Sequence, residues 1–295
     1  MDRVAVIGLG SMGSRIASHL KSVSSLAVYD PVNERRRDVG EAIGADVFDS
    51  AQAAANKADA VVVVVVDASQ TEAALFGPRG AISAMPAGSV VVVMSTIGPT
   101  AMHDLADRVA RTGHAVVDAP MTGGTVLAES GELLIFASGS PTDFERVEPL
   151  LRSCAREVLY VGEEPGSGQT VKLVNQLLCT VHMMAAAEAL AFAHSLGLDQ
   201  HAVFKMMCAG AGTSFILETY GERMIDGPYQ PPSSALPILL KDAGLVLAEA
   251  GREGLETPVL DAAHRVLLRG ADAGMTEDDI SGIIRLYDQR REETS

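Results

Sequence analysis

Short apolar runs rich in valine recur through the first half of the chain, at 4–7, 26–30, 61–66, 90–94, 116–118, 133–137 and 158–161, with alanine-rich stretches of helical pattern between them. Unbroken runs of this kind suit strands buried on both faces. The strand–helix alternation predicts a doubly wound parallel sheet of more than six strands, with helices on both sides. The six consecutive valines at 61–66 and the run 90–94 are its central strands. After Gly166-Ser167-Gly168 the runs stop, and everything to Gln289 reads as helices separated by Gly and Pro turns, including the loop 227–232. The first of these helices, about 169–195, is long and alanine-rich enough to bridge the two halves and act as a core element. The fold class is α/β: a doubly wound domain over 1–163, then an all-α C-terminal domain over 164–295 that carries substrate and subunit contacts.

Directly after the first run stands Gly8-Leu9-Gly10-Ser11-Met12-Gly13, a G-x-G-x-x-G fingerprint between a strand and a helix. Gly8 lets the strand turn tightly, Gly10 removes the side chain that would block a pyrophosphate, and Gly13 lets the helix pack close to the sheet. The helix then aims N–H groups at the phosphates, so Leu9, Ser11 and Met12 join the three glycines as cofactor contacts. Asp30 lies 22 positions after Gly8 at the end of the second strand. A carboxylate there accepts from the ribose hydroxyls and repels a 2′-phosphate, which favours NAD. NADP stays open because a guanidinium from Arg35, Arg36 or Arg37 can offset that repulsion, although the three read as a solvated helix face. Asp67, where the valine run stops, is counted with the cofactor contacts.

Composition narrows the class. With 47% hydrophobic residues over 295 positions, disorder is excluded and the chain is long enough for two domains. A formal charge of −15 argues against nucleic-acid or anionic-lipid partners. The three cysteines, Cys154, Cys179 and Cys208, have neither the count nor the spacing of a disulfide framework or zinc site and read as buried thiols. Seven scattered histidines give no metal site. The expectation is a cytoplasmic protein without a signal peptide or membrane span.

On the long helix, Lys172, Asn175, Gln176 and Cys179 fall on one face. Leaving a lysine and two amides dry there costs about 1–3 kcal/mol each, which a substrate can offset; snorkelling and interhelical hydrogen bonds are the alternative. A lysine partly withdrawn from water has a depressed pKa, so its neutral amine can take a hydroxyl proton and its ammonium can return one. The turn-rich segment 118–125 offers backbone amides of Gly123-Gly124 and the hydroxyls of Thr122 and Thr125, an arrangement suited to a carboxylate. Thr96 follows the 90–94 run at the edge where ligands of open sheets collect, and Lys241-Asp242 sits in an apolar helix after the proline loop.

Together, the glycine fingerprint, Asp118-Ala119-Pro120-Met121-Thr122-Gly123-Gly124, the segment from Gly166 to Asn175 and Lys241-Asp242 resemble the four signatures of the β-hydroxyacid (3-hydroxyisobutyrate dehydrogenase-like) dehydrogenase family over the whole chain. That resemblance implies a Rossmann-type domain and a helical domain, Lys172 as catalytic lysine, Thr122, Gly123, Gly124 and Asn175 as substrate contacts, and Thr96 and Lys241 as cofactor contacts. Many members carry serine at Thr122 and a second asparagine at Gln176, so both positions touch substrate identity. Leu173 to Leu178, His182 and the run from Ala185 to Leu190 are similar to members that oxidise the C2 hydroxyl of a four-carbon sugar acid. The expected partner is a small anionic hydroxy acid, with NAD as cofactor and a homodimer or homotetramer as assembly. The alternatives are NADH-dependent reduction of a small semialdehyde and a non-catalytic dinucleotide-binding protein.

Overall fold

The computed structural model describes residues Met1–Asp288. Contacts divide the chain between Lys172 and Leu173 into two compact units. In the first, the elements run β1 (Arg3–Ile7), α1 (Ser11–Leu20), β2 (Ser25–Tyr29), α2 (Asn33–Ile43), β3 (Asp46–Val47), α3 (Ala51–Ala55), β4 (Ala60–Val63), α4 (Ala68–Phe76), β5 (Val90–Val93), α5 (Pro99–Ala110), β6 (Ala115–Asp118), β7 (Met121–Thr122), α6 (Gly124–Ser130), β8 (Leu133–Ser138), α7 (Pro141–Arg152) and β9 (Ala155–Gly162). Strand order is β3-β2-β1-β4-β5-β6-β8-β7, with β9 on β8.

The sheet is parallel from β3 to β6, in the register Val4↔Ala60 and Val90↔Ala115. It turns antiparallel at β6–β8, where Asp118 faces Ser138, and at β7–β8; β8 and β9 are again parallel. The two-residue strands β3 and β7 escaped the hydrophobic pattern because neither is long enough to show a period. Within the valine run only 61–63 lie in β4. Val64 N still donates to Ile7 O at 2.9 Å, but Val65 N donates to the Ser95 hydroxyl at 2.8 Å and Val66 N to the Gln70 side chain at 3.2 Å, so side chains replace the ladder.

The two faces of the sheet are packed separately, as the period-2 alternation of a strand requires. Val4, Val6, Val62 and Val92 meet Ile16, Ala17 and Leu20 of α1 and Val147, Leu150 and Leu151 of α7. Ala5, Ile7, Val61, Val63, Val91 and Val93 meet Ala51, Ala54 and Ala55 of α3, Leu75 of α4 and Met102, Leu105 and Val109 of α5. Each Val, Leu, Ile or Met side chain among them contributes about 1.5–3 kcal/mol on burial. The strands are thereby fixed between two packed layers, and the loops that leave them are placed by the core.

Helix α8 (Ser167–Ser195) begins in the first unit and continues into the second, which goes on with α9 (Gln200–Cys208), α10 (Phe215–Asp226), α11 (Leu236–Arg252), α12 (Pro258–Asp272) and α13 (Arg285–Asp288). Its core gathers Leu173, Met183, Met184, Ala187 and Leu190 of α8 with Leu239, Ala243 and Val246 of α11 and Leu260, Ala263 and Leu267 of α12. By length and composition α8 is also apolar enough to cross a membrane. Asp279 anchors the proline loop, accepting from the Ser233 amide at 2.7 Å and from the Ser281 hydroxyl at 2.6 Å. Of the cysteines only Cys154 is buried, its thiol pushed up to about 12 by that burial; Cys179 and Cys208 are half-buried, which corrects the expectation of three buried thiols.

Candidate active site

The glycine loop leaves β1 at the carboxyl edge, next to the point where the strand order reverses between β1 and β4. That is where open α/β sheets bind ligands. Gly8 has φ +95°, and a Cβ on it would lie 2.3 Å from Val64 O. A Cβ on Gly13 would lie 2.0 Å from Gly8 O, so α1 can press onto the turn only because position 13 is bare. Gly10 differs: a Cβ there would meet no atom of the chain within 4 Å. It borders open space at the start of α1, a helix without a side-chain cap. First-turn N–H groups with no internal partner, facing open space beside a bare glycine, fit a dinucleotide pyrophosphate.

Asp30 follows β2 and is buried. Its Oδ2 accepts from Leu9 N at 2.8 Å and its Oδ1 from Val32 N at 2.9 Å, which fixes the carboxylate against the glycine loop. Arg35 stands 3.3 Å from both carboxylate oxygens, and Arg36 donates to the Asp30 carbonyl at 3.1 Å. Arg35 and Arg36 therefore both turn toward Asp30, although Arg35, like Arg37, stays exposed as a solvated helix face would have it, and only Arg36 is half-buried. The reason is local: α2 starts only three positions after Asp30, so its first turn lies within reach of the carboxylate. Asp67 caps α4, accepting from Gln70 N at 2.8 Å.

The loops after β5 and β6 meet the start of α8. Gln169 is fully buried, and its Oε1 accepts from Ile97 N at 2.9 Å and Gly98 N at 3.0 Å, while its Nε2 donates to Ser95 O at 3.1 Å and Asp118 Oδ1 at 2.7 Å. Thr96 is thus bracketed by backbone groups held by one amide. Asp118 Oδ2 accepts from Gly166 N at 3.0 Å, Gln169 N at 2.9 Å and the Ser138 hydroxyl at 3.2 Å. Beyond Asp118 the chain reverses into β7, which holds Thr122, and passes Gly123 at φ +128° and Gly124 at φ +64°. The segment 118–125, read from sequence as one loop, therefore contains a strand and the start of α6.

Burial pushes the Asp118 carboxyl from an ordinary 3.8 up to about 6, with the hydrogen bonds from Gln169, Gly166 and Ser138 pulling it back. Because the folded state holds this proton more tightly than the unfolded chain, stability linked to Asp118 is full below about 4 and falls as pH climbs to about 6. Over that window the loss comes to about 3 kcal/mol. Denaturation of the parent and Asp118→Asn between pH 4 and pH 7 should show the parent's relative stability shrinking by that order; a pH-independent difference contradicts the assignment.

Lys172 lies one turn after Gln169 on α8 and is only 7% exposed. Further along the helix, Asn175 Nδ2 donates to Gln176 Oε1 at 2.9 Å and approaches Cys179 Sγ at 3.4 Å. Gln176 Nε2 donates to Asp242 Oδ2 at 2.5 Å, and Lys241 Nζ pairs with Asp242 Oδ1 at 2.8 Å. One continuous polar network therefore joins Asn175, Gln176, Asp242 and Lys241. Residues that sequence reasoning left out of the site are Gln169, Ser95, Ser138 and Asp242. Gln169 carried a signal, since it sits three positions before Lys172 and extends the polar stripe by one turn. Among the described residues no group of three or more His, Cys, Asp or Glu could hold a metal ion.

A dinucleotide cradle on a parallel sheet, followed by a helix that carries a buried lysine and, a turn further on, two amides, defines a nicotinamide-dependent oxidoreductase. Residues 3–162 match the family model for the NAD-binding domain of 6-phosphogluconate dehydrogenase, and residues 166–287 match that for the NAD-binding region of NADP-dependent 3-hydroxyisobutyrate dehydrogenase. The chain is 36% identical over 285 residues to the L-threonate dehydrogenase of Escherichia coli O6:H1 (strain CFT073), covering 96% of this chain and 94% of that protein. It is 31% identical over 286 residues to the 2-hydroxy-3-oxopropionate reductase of Escherichia coli (strain K12), covering 96% of each. The crystal structure of 3-hydroxyisobutyrate dehydrogenase from Salmonella typhimurium superposes with a TM-score of 0.90 at 34% identity, covering 97% of this chain and 100% of that one. The chain belongs to the 3-hydroxyisobutyrate dehydrogenase-like family of NAD(P)-dependent hydroxyacid oxidoreductases.

Proposed function

We propose that this protein oxidises the C2 hydroxyl of a four-carbon sugar acid of the L-threonate type, with Lys172 as general acid and base. The observation that carries the reading is the burial of Lys172 on a helix face that continues into Asn175 and Gln176. Its support on the substrate side is the similarity to L-threonate dehydrogenase over nearly the whole chain. The amine of Lys172 accepts the hydroxyl proton during oxidation and returns it to the developing alkoxide in reverse; an amine held out of water takes its neutral form more readily. A bound nicotinamide supplies the hydride acceptor. The amides of Gly123 and Gly124 and the hydroxyl of Thr122 receive the substrate carboxylate, and Asn175 orients the substrate hydroxyls. Gln176, which accepts from Asn175 Nδ2, is a further substrate contact. Gly8, Leu9, Gly10, Ser11, Met12 and Gly13 hold the pyrophosphate, Asp30 the adenosine ribose, and Asp67, Thr96 and Lys241 the remainder of the dinucleotide.

A panel of C3 to C6 hydroxy acids, assayed for reduced dinucleotide at 340 nm with NAD and NADP in parallel, tests this. Turnover should be highest with the four-carbon acid, and no turnover with any acid while the dinucleotide still binds defeats the proposal. Reduction of a small semialdehyde is the second reading, favoured by the similarity to 2-hydroxy-3-oxopropionate reductase. Rates in both directions at neutral and alkaline pH separate the two.

Cofactor choice rests on Asp30 and Arg35. Removing the charge with Asp30→Asn should raise the NADP-to-NAD ratio of kcat/KM about tenfold, equivalent to about 1.4 kcal/mol. Arg35→Ala should lower NADP use selectively. Equal ratios in parent and variants would remove both residues from cofactor selection. Phe192, Leu196 and Met206 leave large apolar side chains in solvent, 60–64% exposed, which supports a homodimer or homotetramer; sedimentation of the parent and Phe192→Glu reads this out. The apolar stretch of α8 is read as a core element, with the protein in the cytoplasm and without nucleic-acid partners.

A further inference from the structure

We propose that Gln169, working through Asp118, is a positioning residue that holds Thr96 and Lys172 in fixed relation at the carboxyl edge of the sheet. The inference rests on the role given to Lys172 above.

A helix start can be capped by its own neighbour, and several here are: Ser50, Asp67, Ser140 and Ser214 each accept one N–H from their own first turn. Such a cap stabilises the helix but ties it to nothing. The start of α8 is built otherwise. Gly166 N and Gln169 N donate to Asp118, at the end of β6, and Gly168 N donates at 3.0 Å to Ser138, at the end of β8. Asp118 and Ser138 are paired across the sheet where it changes from parallel to antiparallel. The cap therefore fixes the helix to two strands at once. Gly168 lets the backbone come close enough, since a Cβ there would stand 2.4 Å from Phe136 O and 2.9 Å from Asp118 Oδ2.

Gln169 extends the clamp to a third loop. A primary amide offers two N–H donors and one oxygen with two lone pairs, and all four are used: Ile97 N and Gly98 N on the oxygen, Ser95 O and Asp118 Oδ1 on the nitrogen. The orientation is enforced, because a flipped amide would set its NH2 against two N–H donors and its oxygen against a carbonyl and a carboxylate. An ionised Asp118 accepts from every group around it, whereas the amide introduced by Asp118→Asn would have to set its own NH2 against another donor. The two ends of the clamp are Thr96, bracketed by Ser95 O and Ile97 N, and Lys172, one helical turn from Gln169. A proton-transfer group misplaced by about 1 Å can lose about 10²-fold in rate, so a clamp of this kind acts on turnover before it acts on cofactor affinity.

The test is Gln169→Met, which keeps the volume and removes all four polar contacts, with Ser138→Ala as the milder variant. Expected for Gln169→Met is a kcat lowered about 10- to 100-fold, with the Kd for NADH, read from its fluorescence, rising by a smaller factor than kcat falls. The titration curve of the Lys172 amine, followed by competitive acetylation and mass spectrometry of its peptide, should also shift. A structural role alone would lower Tm and leave kcat and the acetylation curve at parent values, and that result overturns the proposal. Should Gln169→Met not fold, Ser138→Ala decides, with parent kcat and parent acetylation together counting against it. The acetylation readout does not require turnover. If Lys172→Ala proved fully active, the catalytic role of Lys172 would fall while the positioning of its amine would still be measured.

Discussion

Lys172→Ala is expected to lower kcat about 10²- to 10⁴-fold, the range for loss of a general acid–base group, while the Kd for NADH stays near the parent value. The side chain is buried, so truncation also opens a cavity, and part of any loss could come from packing. Lys172→Met controls for this, because it fills much of the volume of the lysine stem without an amine and should be as inactive as the alanine variant. Lys172→Arg is the sharper probe. A guanidinium keeps the positive charge yet does not give up its proton near neutral pH. It should therefore fail if Lys172 moves a proton and retain activity if only positive charge is needed. Parent-like kcat in Lys172→Ala, at an unchanged Tm, would remove the lysine from the chemistry.

The second large effect concerns two glycines three positions apart that should respond differently to one methyl group. In Gly13→Ala the new Cβ meets the backbone oxygen of Gly8 at 2.0 Å, and backbone cannot swing aside as a side chain can. The helix must lift from the turn, at about 1–3 kcal/mol for an overpacked site, and the pyrophosphate cradle deforms with it. Both Tm and NADH affinity should fall. In Gly10→Ala the Cβ meets nothing within 4 Å, and the backbone, at φ −64° and ψ −166°, suits any residue. Its Tm should equal that of the parent while NADH affinity drops tenfold or more, about 1.4 kcal/mol. Thermal melts with and without NADH separate the cases, and a Gly10→Ala variant that binds NADH normally would place the pyrophosphate elsewhere.

Those glycines were legible because the relations they serve are local. Gly8, Gly10 and Gly13 act within one strand–turn–helix unit, and the apolar run before them fixes where the unit starts. Helix α8 was legible for a related reason: its alanine-rich pattern over 169–195 falls inside the observed Ser167–Ser195. Asp30 could be placed at a strand end from spacing. What held it could not, because the folding back of Arg35 and Arg36 depends on how the first turn of α2 leaves β2. The valine run misled in one respect, since composition is uniform across 61–66 while the strand ends at Val63. The hydroxyl of Ser95, thirty positions away, decides where the ladder gives way to a loop.

The parts of the site invisible in one dimension are those made by pairing. Asp118 and Ser138 are neighbours only because β8 runs antiparallel to β6, and Gln169 reaches Asp118 across 51 positions. The same is true of Gln176 and Asp242, 66 positions apart. Ser138 reads in sequence as an ordinary polar position, and nothing in the polar stripe or the signatures says that Gln169 pairs with Asp118 or Gln176 with Asp242.

By itself the sequence determined the class of the fold, the dinucleotide fingerprint and the lysine on a polar helix stripe, because periodicity and glycine spacing act over a few residues and need no partner. Only the tertiary structure decided which polar groups satisfy one another: a hydrogen bond in the core depends on strand order and register, and these are set by the packing of the whole sheet.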